Sequence, residues 1–135
     1  MKAPIVRDRM THLPLEIERV DNVANAIRLM ELFNVRHVPV MNGSKLQGVV
    51  SERDILRARI ENDIDEISLE EICSRNVLTV SPLTPVDQVA QQMLDRRVGS
   101  AIVVDCGYVV GIFTSSDALR TLTEIFGKKV PSKQK

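Results

Sequence analysis

The chain is written twice. The run Gly48-Val49-Val50-Ser51-Glu52-Arg53-Asp54 returns 63 residues on as Gly111-Ile112-Phe113-Thr114-Ser115-Ser116-Asp117. The same offset, with no gap, carries Leu15 to Leu78, Met30 to Met93, Val35 to Val98 and Val40 to Val103. A repeat of this length is a whole supersecondary unit used twice, and it constrains the fold more than any single motif. A Ser or Thr and an Asp recur at matching places, so two related sites are expected. A binding module is therefore the first reading.

Bulk properties narrow the classes. A chain of 135 residues makes one ordinary domain, or two half-domains sharing a core. Its 18 basic and 18 acidic side chains cancel, so non-specific attraction to nucleic acid gets no support from the total. At 3% aromatic residues, a base-stacking platform is not expected either. The N-terminus lacks an apolar stretch of signal-peptide length and nothing approaches a membrane span, so a cytoplasmic protein is expected. Cys73 and Cys106 have no second thiol or histidine at metal spacing, and Cys73 reads as a small apolar core residue.

The first copy spans about residues 5–60 and the second 68–126. Residues 61–67 form an acidic surface connection, and residues 127–135 a basic, proline-broken tail expected to be frayed. Inside each copy the hydrophobic period changes. Val23, Ala26, Ile27 and Met30 stand at helical spacing, and Val86, Val89, Ala90 and Met93 repeat them. Asp21-Asn22 and Thr84-Pro85 supply helix starts, the latter with proline at the first helical position. Two β-branched runs flank Asn42-Gly43, a hairpin signal, and their counterparts flank residues 105–107. With short apolar pieces at residues 15–17 and 78–80, each unit reads strand, helix, strand, strand, helix. The fold class is α/β (α+β). Each unit is too small to stand alone, so the two are expected to share a core through their sheets.

Three features carry a family resemblance: the opening Met10-Thr11, the strand Val38-Pro39-Val40, and Gly-h-h-[Ser/Thr]-x-x-Asp leading into a helix, where h is hydrophobic. The last occurs twice in register, while Ile102 replaces Pro39 in the second copy. The chain resembles tandem CBS domains, the stand-alone pair called a Bateman module, from about Val6 to Phe126. The resemblance implies a disk-like pair with a pseudo-twofold axis. It also implies clefts between the copies that take AMP, ADP, ATP or S-adenosylmethionine, and association of two modules through helix faces into a homodimer.

The residues make chemical sense without the family. Ser51 and Thr114 open helices, where free backbone N–H groups and the positive dipole end bind phosphate and a hydroxyl adds a donor. Asp54 and Asp117 lie on the first turn, where an ionised carboxylate can hold the two hydroxyls of a ribose. The same pattern is also a capping box, which stabilises a helix by about 1 kcal/mol and need do nothing more. The copies differ in charge. Arg36, His37 and Arg53 in the first, all candidate phosphate contacts, correspond to Gly99, Ser100 and Ser116 in the second. Ser116 is the second copy's weaker phosphate candidate, and Gly99 could let backbone approach a ligand closely. By resemblance, the adenine slot is formed by Thr11, Leu15, Glu16, Val38 and Pro39 in the first copy. Ser74, Leu78, Thr79 and Ala101 are the second-copy candidates. Leu15 and Leu78 read equally well as core.

The expected function is a regulatory module that binds an adenosine ligand and signals to an effector protein by a conformational shift. The alternative is a ligand-free protein-interaction or dimerisation module. No Ser-His-Asp order, metal cluster or phosphate-binding loop is present and neither Asp has an acid–base mate. An enzyme, a catalytic cofactor and a metal are therefore not expected.

Overall fold

A computed structural model describes residues 3–12 and 16–129. The strands and helices in chain order are β1 (Thr11–His12), β2 (Ile17–Glu18), α1 (Val23–Phe33), β3 (His37–Asn42), β4 (Lys45–Ser51), α2 (Glu52–Glu61), α3 (Leu69–Ile72), β5 (Thr79–Val80), α4 (Val86–Arg96), β6 (Ser100–Asp105), β7 (Tyr108–Thr114) and α5 (Ser115–Lys129). Each unit is the expected strand, helix, strand, strand, helix, folded as a mixed α/β pair with two small sheets.

The repeat extends to backbone detail. Asn22 caps α1 by accepting the Asn25 amide at 2.9 Å. Val23, Ala26 and Met30 then bury one helical face, and Val86, Val89 and Met93 of α4 do the same. Both helices stop at a left-handed residue, Asn34 (φ 54°) and Arg97 (φ 57°), which are 63 positions apart. The β3–β4 ladder shifts register between Val40 and Met41, and the β6–β7 ladder between Val103 and Val104, again 63 apart. Three local expectations move by a residue or two. Pro85 is the N-cap of α4 and not its first helical residue, because its ψ of 142° is extended. In the first hairpin Asn42 pairs with Lys45, so Gly43 and Ser44 form the turn. The last helix runs through Gly127 to Lys129, past the boundary expected for the tail. Residues 130–135 lie outside the described residues.

The units are laced together by an exchange of edge segments. One sheet has the order β2-β3-β4, the other β1-β7-β6-β5. Thus β1, from the first unit, lies antiparallel to β7 of the second, Thr11 opposite Ile112. In return Ser74 bridges Val49 of β4 through two backbone hydrogen bonds of 2.9 and 2.8 Å. Both crossings pass over a glycine. A Cβ at Gly111 would stand 2.6 Å from the Thr11 carbonyl oxygen and 2.7 Å from Met10 Sδ. At Gly48 it would overlap the Ser74 carbonyl oxygen and lie 2.9 Å from Cys73 Sγ. The glycine of the repeated motif is thus explained by close approach of the other unit's chain.

The shared core follows. Ile102 and Ile112, both fully buried on the second sheet, pack in the hydrophobic cluster of the first unit with Val49. The connection between the units contributes as well, since Ile67 is buried and Ile64 packs on the same cluster.

Candidate functional site

Each conserved-spacing Ser/Thr and Asp pair forms a helix cap, but the two caps differ. In the first, Ser51 Oγ accepts the Asp54 amide at 3.1 Å, and Asp54 Oδ2 accepts the Ser51 amide at 3.0 Å. Asp54 is half-buried, and among the described residues its other carboxylate oxygen takes no hydrogen bond. In the second, Asp117 Oδ2 accepts both the Thr114 amide (2.9 Å) and the Thr114 hydroxyl (3.2 Å). The Asp117 amide donates to Thr114 Oγ1 at 3.3 Å, and the Thr121 hydroxyl donates to the Asp117 carbonyl at 2.8 Å. Asp117 Oδ1 accepts Arg120 Nη2 at 2.8 Å. Asp117 is 5% exposed.

The charged candidates gather only at the first cap. His37 stands opposite Ser51 in the β3–β4 ladder and leans against the second unit, where its Nε2 is 3.2 Å from the position a Cβ at Gly99 would take. Gly99 therefore makes room for an imidazole of the other unit, a pairing that a one-copy reading of the motif missed. Burial holds the His37 pKa below its ordinary value. Asp54 pulls the other way, while Arg36 and Arg53 push it down further. The His37 ring keeps a buried Nδ1 that has no partner among the described residues. Arg36 and Arg53 are exposed. Arg36 leans toward Glu52, 4.0 Å away at the first residue of α2. Ser116 is exposed beside the second cap.

The crossed segments bring the leading residues of each unit beside the strand that runs into the other unit's cap. Ser74 lies against Val49, two residues before Ser51, and Thr11 lies against Ile112, two residues before Thr114. The Ser74 segment therefore flanks Asp54, and the Thr11 segment flanks Asp117. Glu16 and Thr79 are exposed. Val38, Leu78 and Ala101 are buried in the hydrophobic clusters and Pro39 is buried in β3, so these four can offer a ligand little beyond backbone. Leu15 lies outside the described residues. Two surface clefts of about 320 and 350 Å³ lie elsewhere: one between α1 and α2, lined in part by Met30, Arg36 and Glu52, the other lined in part by Arg7, Met10 and Asp105. Neither is lined by Ser51, Asp54, Thr114 or Asp117.

Among the described residues no His, Cys, Asp and Glu side chains cluster as a metal site, and no helix is long and apolar enough to cross a membrane. Cys73 is a buried free thiol and Cys106 an exposed one.

The exchanged sheets and paired caps define a duplicated two-unit module. The CBS domain profile matches it twice, over residues 6–61 and 69–124, and the chain belongs to the CBS domain family as a tandem pair. It is similar to an L-aspartate semialdehyde sulfurtransferase of Methanocaldococcus jannaschii, 33% identical over 133 residues, which are 96% of this chain and 25% of the relative. A homoserine O-acetyltransferase of Methanococcus vannielii is 28% identical over 122 residues, 88% of this chain and 25% of the relative. The chain thus spans about a quarter of the length of these curated relatives. Among solved structures, it is similar to the CBS domain pair of protein MJ0100 in complex with 5′-methylthioadenosine and S-adenosyl-L-methionine. That likeness has a TM-score of 0.80 and 30% identity, covering 96% of this chain and 100% of that one. A protein ascribed to acetoin utilization from Vibrio cholerae aligns with a TM-score of 0.79 and 31% identity, over 95% of this chain and 96% of that one.

Proposed function

We propose that this chain is a regulatory module, not an enzyme, made of units at residues 5–60 and 68–126 that bind an adenosine ligand where they meet. The observation that carries this reading is the Ser51–Asp54 cap in a chain 30% identical to a CBS pair solved with two adenosine compounds. Asp54 has a carboxylate oxygen with which to hold ribose hydroxyls. Ser51, with the start of α2, suits a phosphate or another polar tail, with Arg53, Arg36 and His37 nearby. The Ser74 segment, Pro39 and Thr79 supply the adenine side of this site. Thr11, Glu16 and Ala101 are the corresponding residues for the second cap, at Thr114, Ser116 and Asp117, whose carboxylate is already engaged by Arg120. The ligand is AMP, ADP, ATP or S-adenosylmethionine.

A ligand that prefers one packing of the two units shifts the population of that packing, and an effector protein reads the shift. The activities of the sulfurtransferase and acetyltransferase relatives are then a property of the three quarters of their length that this chain does not match. Exposed Leu32, Leu56, Ile60, Leu94, Leu119 and Leu122 on the helices suit a homodimer.

A thermal-shift panel of AMP, ADP, ATP, S-adenosylmethionine, NAD and GTP tests this, with Asp54→Ala and Asp117→Ala beside the unaltered chain. A ligand at a thousand times its Kd adds about 4 kcal/mol. A rise for adenosine compounds, lost in Asp54→Ala, is the expected result. The second reading, a ligand-free interaction module, is favoured by the exposed helix leucines and by caps already closed on themselves. A flat panel with folded protein would select it.

A further inference from the structure

Residues 63 positions apart in this chain share backbone roles, yet Asp54 and Asp117 are in different states. We propose that Arg120 closes the second unit's ribose position, so that each chain takes one adenosine ligand, at Asp54. This rests on the adenosine reading above. An ionised carboxylate is acceptor-only, with two oxygens to offer a pair of ribose hydroxyls. Asp117 spends one on Thr114, which donates through both amide and hydroxyl, and the other on the Arg120 guanidinium. Its side chain is 6% exposed against 63% for Arg120, so the guanidinium covers the carboxylate from the solvent side.

A ribose pair, which needs two acceptor positions, finds only one left on Oδ1 and must compete there with a charge-assisted hydrogen bond. The first unit has an arginine at the matching place, Arg57, but it makes no ion pair among the described residues. The frame around the two differs too. Thr121, buried at 3% exposure, ties its hydroxyl to the Asp117 carbonyl, and its counterpart Ala58 has no hydroxyl. The second unit also lacks the charge that would draw an anionic tail, having Gly99, Ser100 and Ser116 where the first has Arg36, His37 and Arg53.

Calorimetric titration of the full chain with AMP and with S-adenosylmethionine tests the closure. The expected stoichiometry is one per chain, none for Asp54→Ala, two for Arg120→Ala, and one for the double variant. Two equal sites in the unaltered chain, or a single site in folded Arg120→Ala, would overturn the assignment. Arg120→Ser gives a second opening of the same contact. Backbone amide shifts in the unaltered chain read it without any variant: ligand should move Ser51 and leave Thr114 in place. Absence of binding by both probes in every variant would remove the adenosine reading and this assignment together.

Discussion

The two units hold the same backbone and different chemistry. Left-handed stops at Asn34 and Arg97, register shifts at Val40 and Val103, and crossings over Gly48 and Gly111 all recur at the same offset. At the caps the likeness ends: Asp54 accepts one amide, while Asp117 accepts an amide, a hydroxyl and a guanidinium. Backbone devices resist divergence because each is tied to a strand or helix path on which many contacts depend. A surface arginine is tied to few, so the chemistry of the two caps can diverge while the backbone stays the same.

The largest expected effect comes from the crossings. Gly48→Ala and Gly111→Ala should each lose about 2–3 kcal/mol in urea unfolding, since a methyl there meets backbone that cannot step aside. Gly48→Ala should lose more, because one of the groups facing Gly111 is a flexible Met10 side chain. A loss under about 0.5 kcal/mol at both would mean that the exchange of segments does not hold the pair together.

The helix stops offer a finer contrast. Asparagine tolerates the left-handed region and arginine does not, so Arg97→Asn should raise stability by about 0.5–1 kcal/mol. Asn34→Arg should lower it by a similar amount. Unchanged melting in both would show that the two stops bear no strain.

The smallest effect concerns pH and only the first unit. Burial lowers the His37 pKa in the folded chain, so the unfolded chain takes up the proton first. Stability from the neutral ring is then complete above the ordinary value of 6.5 and falls as pH drops from there through the folded-state pKa. Denaturation at pH 5 and pH 7.5 should show an acid-side loss in the unaltered chain that His37→Gln lacks. The two chains having the same pH slope would remove the histidine from the interface argument. The second unit has Ser100 at this place and contributes no such slope.

Much of this architecture was legible from residues alone, because caps and periodicity depend on neighbours within a few positions. Asn22, Ser51 and Asp54 act where their spacing puts them. Pro85 and Gly43 fell a residue from expectation because either backbone choice satisfies the same local signal. The candidate site was legible as a list of residues but not as a geometry. Val38 and Ala101 turn wholly into the core, since both faces of these strands are covered. His37 finds its place at Gly99, a residue of the other copy that no spacing within one motif points to.

The sequence by itself determined the duplication, the order of elements and the chemistry available at each cap, all of which rest on local patterns written in one stretch of chain. Only the tertiary structure decided that each unit lends its leading segment to the other's sheet, Ser74 pairing with Val49 and Thr11 with Ile112. It alone decided that Arg120 engages its aspartate while Arg57, at identical spacing, does not. The physical reason is common to both. An arginine three residues from an Asp can swing to it or to water, and an edge segment can pair at home or abroad. The outcome is set by how two sheets pack, through contacts such as Thr11 with Ile112 and Ser74 with Val49 that local pattern cannot encode.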